Sequence, residues 1–246
     1  MGRALVLTEA GRIALDHANR IFSAGDELLA TLNHGERSAQ PLRVGALSTL
    51  SRNFQMQFLQ PLLQSGAYPL SLKSGDTDAL ITDLETLALD VVLTTRVPHR
   101  TSSDVHFAAQ RIAEQPVHLH GTPERLNYGS LAELLASEPL ILPTDIVVRS
   151  AFENLVATLG VTPQLAANVD DMAMVRLLAR AGVGVALTSS IVVADEIANG
   201  LLKVADFDLG ISEPFFAVTL PREFPHPALK DLLTKQIPPR DQHFPP

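Results

Sequence analysis

The 246 residues are 46% apolar and 19% charged, a composition that folds rather than stays disordered, and they suffice for one large or two modest domains. With no cysteine, disulfide frameworks, thiolate metal sites and cysteine nucleophiles are excluded. Nineteen basic against 27 acidic residues leave a net charge of −8, which speaks against a self-sufficient DNA-gripping face.

A helix is predicted over residues 9–34, with Thr8 as N-cap and Glu9 in its first turn. Ala14, Ala18, Ile21, Gly25, Leu28 and Leu32 recur at alternating steps of four and three, a heptad seam that Phe22 and Leu29 widen. Such a seam suits pairing with a second helix; packing on the chain's own body is the alternative. Gly35 is expected to end the helix, and 36–41 is a polar linker closing on Pro41.

From Leu42 the pattern alternates. Strands are expected at 42–47, 69–74 and 90–95, with helices at 49–64 and 76–87 between them. That order implies right-handed crossovers and a parallel sheet. A second unit follows, with strands at 105–112, 116–120, 139–142, 164–169, 184–188, 202–207 and 214–220. Its helices are expected at 130–136, 149–159, 171–181, 191–199 and 227–236, and the proline-rich end is expected to fray. The fold class is therefore α/β, in the form of a clamshell. One lobe is 41–97 plus 218–246 and the other 98–217, with strand C-termini of both facing a cleft.

No nucleophile elbow and no zinc-protease helix motif is present, so no catalytic residue is nominated. Gly182-Val183-Gly184 lies after a helix and before a strand, the reverse of a dinucleotide site, and reads as a helix C-cap turn. His118 and His120 share a strand face and read as exposed histidines; a shared metal would lack a third ligand. Asp170 and Asp171 read as a helix N-terminus, with acid/base work as the alternative. Short polar residues end nearly every strand: Ser48 and Thr49, Asp76, Thr94 and Thr95, Thr144 and Asp145, Asp170, and Thr188 with Ser189 and Ser190. These are the candidate ligand contacts, although helix capping accounts for part of the pattern.

The run Leu5–Gly11 (LVLTEAG), continuing into the long helix, resembles the wing and linker helix of LysR-type transcriptional regulators, with Arg3 as the wing's basic residue. Leu42–Thr49, Asp90–Thr95 and Leu178–Leu187 are similar, in the same order, to landmarks of that family's effector domain. The resemblance spans essentially the whole chain. It implies a linker helix that dimerises through Ala14, Ala18, Ile21, Phe22, Leu28 and Leu32, then two subdomains of type 2 periplasmic-binding-protein fold. A small ligand or ion in the cleft, a homodimer or tetramer, no cofactor, no membrane and a cytoplasmic location are further implied. Met1 falls inside the wing, so residues 1–8 are expected to be a remnant of a winged helix-turn-helix, and DNA contact belongs to a head outside this chain. Val169–Val175 and His226–Ala228 resemble the activators of a sodium/proton antiporter, which would make sodium the effector. A transporter's solute-binding protein, an enzyme built on similar lobes, and a short form that pairs with full-length relatives are the other readings.

Overall fold

The computed structural model describes residues 8–32, 40–97, 106–222 and 225–234. Helix α1, Glu9–Leu32, begins as predicted, with the Thr8 hydroxyl accepting the Gly11 N–H at 3.1 Å. Ile21, Phe22 and Leu28 are 70, 73 and 58% exposed, Ala14 is exposed and Ala18 half-buried. The side chain of Leu32, the expected stop at Gly35, the wing residue Arg3 and the chain's last twelve residues lie outside the described residues.

The first lobe follows its pattern closely. Strand β1 (Leu42–Leu47) pairs in parallel with β2 (Leu70–Gly75) and β3 (Val91–Thr94). Helices α2 (Arg52–Ser65) and α3 (Thr77–Glu85) make the crossovers. Helix α2 starts three residues later than expected because Ser51 caps it, accepting from Phe54 N. It stops where Gly66 takes the left-handed conformation, φ +59°. The core joins these elements around Phe54, which stacks on Phe215 with ring centroids 4.0 Å apart.

Two strands expected at 105–112 and 116–120 are, in their described part, one: β4, Ala108–Gly121. The polar run Glu114–Gln115 suggested a break. Instead, Ala113, Gln115 and Val117 keep alternating inward past a bulge near Ile112, and the ladder continues. Strand β4 pairs antiparallel with β9 (Ser212–Thr219), which in turn pairs antiparallel with β3. Farther along, β4 pairs with β7 (Val185–Ser189), and β7 leads to β5 (Leu140–Pro143) and β6 (Leu165–Val169). The order is β2-β1-β3-β9-β4-β7-β5-β6, with β8 (Lys203–Val204) beside β4. This is a mixed sheet, and β4 is the strand common to both halves.

In the second half, α4 (Leu131–Ser137), α5 (Ile146–Leu159), α6 (Met172–Arg180) and α7 (Ala194–Ala198) surround the strands. Helix α7 and strand β8 are much shorter than expected. Ile191, Val192 and Val193 are buried in a turn rather than on a helical stripe. The last helix, α8 (Pro227–Thr234), returns to the first lobe's core through Ala228, Leu229 and Leu232.

Two motifs resolve into structure. Gly182 has φ +70° just after α6, as the C-cap reading expects. Gly184 has no room for a side chain: a Cβ there would stand 2.3 Å from the Pro139 carbonyl oxygen. His226 Nδ1 accepts from Ala228 N at 3.2 Å at the head of α8, and its Nε2 lies 3.1 Å from Gln40 O, a donor bond that ties the segment entering β1 to α8.

Candidate functional site

Strand β3 ends at Thr94, and the chain turns through Thr95 and Arg96. Thr94 is buried; its hydroxyl donates to Arg96 O at 3.1 Å, so it holds the turn. Thr95 is 2% exposed, and its hydroxyl donates to Asp145 Oδ2 at 2.8 Å, across from the first lobe to the second. Asp145 is the N-cap of α5; its other oxygen accepts from Val147 N and Val148 N at 2.9 and 3.3 Å. One carboxylate thus closes the second lobe's helix and ties it to the first.

The structure brings Thr95 and Asp145 together and disperses the other nominees. Ser48 is exposed, with its N–H on Gly75 O at 3.0 Å, and Thr49 is half-buried beside it. Asp76 caps α3 through Ala79 N, and Thr144, exposed, donates its N–H to Val169 O. Asp171 caps α6 through Ala173 N while Asp170 is exposed next to it, as the helix-terminus reading holds. Thr188 is buried within β7, its hydroxyl 3.8 Å from Met172 Sδ.

Two residues, Glu213 and Gln115, were missed by the sequence reading, and a third, His120, was misread. Glu213 stands opposite Gln115 in the β4–β9 ladder and accepts from the Ser189 hydroxyl at 3.2 Å. Burial, and next the charge of Asp145, push its carboxyl up to about 8, against a smaller lowering by Ser189. Gln115 is buried with its Nε2 unpartnered. The one sequence signal was a carboxylate directly ahead of an apolar strand, and it was read as lying outside that strand. Farther along the same sheet, His120 is fully buried rather than exposed, because β7 and β8 flank it on both sides. Its Nε2 meets Ser190 Oγ at 3.1 Å, and burial, then His118, pull its imidazole down to about 3, so it is neutral. Among the described residues no three histidine, aspartate or glutamate side chains are placed to hold a metal ion. The lobes also meet where Asn53 Nδ2 donates to Ile191 O at 3.0 Å, beside a cavity of about 340 Å³ between α2 and α7.

The family model of the LysR substrate binding domain matches residues 35–234. The chain belongs to the LysR family. Members of that family are transcriptional regulators rather than enzymes, and the α/β architecture above is that of their type 2 periplasmic-binding-protein-like effector domain. A curated relative, the HTH-type transcriptional regulator CbbR of Rhodospirillum rubrum, is 27% identical over 227 residues, covering 89% of this chain and 73% of CbbR. Among solved structures, full-length OxyR from Pseudomonas aeruginosa is similar in fold, with a TM-score of 0.65 and 20% identity over 95% of this chain and 76% of OxyR. The regulatory domain of CcmR from Synechocystis PCC6803, solved in complex with 2-PG, gives 0.62 and 17% over 81% of this chain and 99% of that domain. No helix among the described residues is long and apolar enough to cross a membrane.

Proposed function

We propose that this chain is the ligand-sensing part of a LysR-type regulator. A small effector enters the cleft between the lobes, favours one arrangement of them, and so alters transcription. The carrying observation is the Thr95–Asp145 hydrogen bond at 2.8 Å, which joins the end of a first-lobe strand to the cap of a second-lobe helix. A ligand seated there touches both moving parts at once. Ser48, Thr49, Asp76, Thr94, Thr144, Asp170 and Thr188 are the proposed surrounding contacts and rims. The similarity to a regulatory domain solved with 2-PG supports a small molecule as the effector.

The exposed Ile21, Phe22 and Leu28 support pairing of α1 with a second copy, as homodimer or tetramer, so that closure of the lobes is passed toward a DNA-reading head. The finer assignment, to an antiporter activator sensing sodium, keeps only its resemblance. Asp171 and His226, which carried it, are accounted for by helix capping.

A thermal-shift screen of the full chain tests the sensing role, because a ligand of the folded state raises Tm by mass action. Absence of any shift across organic anions, amines and sugars overturns it. An equal response to sodium, lithium and potassium removes the sodium reading. Sedimentation tests the seam: Phe22→Ser is expected to lower the particle mass, and an unchanged mass refutes pairing through α1.

A further inference from the structure

Taking the cleft of the proposed function as the effector site, its floor is a cluster assembled from four separate elements. Gln115 and Glu213 face each other across β4 and β9. Ser189 lies opposite Val117, two residues along from Gln115 and therefore on the same face, and its hydroxyl reaches Glu213. Asp145 comes in from the cap of α5, held by Thr95.

Two features of this cluster are incomplete. Asp145 and Glu213 act on each other electrostatically, yet among the described residues no lysine, arginine or histidine forms an ion pair with either. Gln115 is 3% exposed, and its Nε2 has no acceptor. A buried donor left unpaired costs free energy, as do neighbouring carboxylates without a cation. Asp145 Oδ1 is taken by the α5 cap, but Oδ2 accepts only from Thr95 and keeps a free lone pair, so the open positions are Asp145 Oδ2, Glu213 and Gln115 Nε2. Among the described residues no other charge is found to act on Glu213. Glu114 turns to Ser212 and Arg111, and His118 and His120 project from the opposite face of β4.

We propose that this floor binds the cationic head of the effector: an ammonium group seated between Glu213 and Asp145, with a neighbouring oxygen of the same molecule accepting from Gln115 Nε2. The class is a small amine carrying a hydroxyl or carboxylate close to its nitrogen. The inference rests on the cleft being the effector site. It places a cation where simple phosphate-type effectors would meet two carboxylates. Seating the cation releases the proton that Glu213 holds in the empty cleft, so binding is proton-linked.

The test uses the full chain and three probes: ethanolamine, methylammonium, and 2-phosphoglycolate as the anion, each at about 50 mM and equal ionic strength. Ethanolamine is expected to raise Tm most and methylammonium less, since the latter lacks the oxygen for Gln115. By calorimetry, ethanolamine affinity rises roughly tenfold per pH unit up to about pH 8, with uptake of one proton by the buffer. Glu213→Gln, which keeps the shape of the protonated side chain, is expected to lose at least tenfold in affinity and all of that pH dependence. No shift with either amine, or unchanged affinity and pH dependence in the variant, overturns the proposal. Stabilisation by the anion alone, or no response to any of the three probes, sinks this subsite; the sensing role falls only if the wider screen of anions, amines and sugars is also silent.

Discussion

Glu213→Gln in the empty protein isolates the cost of the buried carboxyl. An unfolded glutamate titrates near 4.5, whereas the folded one is held up to about 8 by burial and by Asp145. Between those values the folded state keeps a proton that the unfolded state has released. Stability contributed by the protonated group is thus fully present below about pH 4.5 and is lost as pH rises through about 8. At about 1.4 kcal/mol per pH unit, the span amounts to roughly 5 kcal/mol. Glutamine cannot ionise in either state, so its variant lacks this slope. Urea unfolding of both proteins at about pH 5, 6, 7 and 8 reads the difference directly. The variant is expected to be near wild type at pH 5 and several kcal/mol more stable at pH 8. A difference that stays constant across that range would refute the assignment of a buried, proton-holding carboxyl in the β4–β9 ladder.

Other substitutions probe the frame. Gly184→Ala forces a Cβ against the fixed Pro139 carbonyl that accepts from Val185 N; a loss of about 3 kcal/mol is expected, at the upper end of overpacking costs. Gly45→Ala meets the mobile ends of Leu89 and Leu80 instead and should cost clearly less; equal Tm losses would show that the Pro139 contact yields. Asp90 is buried and accepts from Arg43 N, Nε and Nη2 and from Arg222 Nη1, so Asp90→Asn strands two arginines and should cost roughly 3–5 kcal/mol. Burial alone would raise the Asp90 carboxyl, but the bonds from Arg43 and the charges of Arg43 and Arg222 outweigh it and hold it below the ordinary value of 3.8. Its contribution is therefore present above that value and lost as pH falls through the lower folded one, so the gap between wild type and variant should close in acid; a gap that persists there denies the network its charge. His226→Ala removes the bond to Gln40 and the cap of α8, for an expected loss of about 1–2 kcal/mol by thermal unfolding, and an unchanged Tm would show that neither bond holds the chain.

Local chemistry made much of this molecule readable. The buried runs of β1, β3, β5 and β7 needed only apolar residues between turn signals, and Ser51, Asp76, Ser130, Asp145 and Asp171 each cap a helix within three residues along the chain. The glycine rule applied to Gly182 also operates at Gly66 and Gly160, which end α2 and α5 at positive φ. What was not readable depends on partners far away in sequence. Glu114 and Gln115 fell in the gap between two expected strands because nothing nearby says that Pro214 and Glu213 will lie across from them. His120 looked exposed because the strands that bury it arrive 66 and 84 residues later, at Ala186 and Val204.

The same distinction separates the strand-end hydroxyls, proposed as the cleft's rim, from the Gln115–Glu213 pair, proposed as its floor. A rim residue serves its own helix first, so its type is set locally: Asp145 is chosen to cap α5, whatever lies opposite. The floor has no such local use. Gln115 and Glu213 stand on strands where apolar residues would pack at lower cost; Gln115 Nε2 has no partner, and Glu213, which accepts from Ser189, keeps a carboxyl pushed up by burial and by Asp145. Gln115 has only Ala113 and Val117 as its inward neighbours on β4, and Glu213 precedes the buried Phe215, Ala217 and Val218 of β9. A polar pair held in that company, on the strands through which the two lobes are joined, weakens the empty frame at the position where, under the proposed function, a ligand would reach both lobes at once. That is where differential affinity between open and closed forms can arise, because contacts confined to one lobe would favour neither.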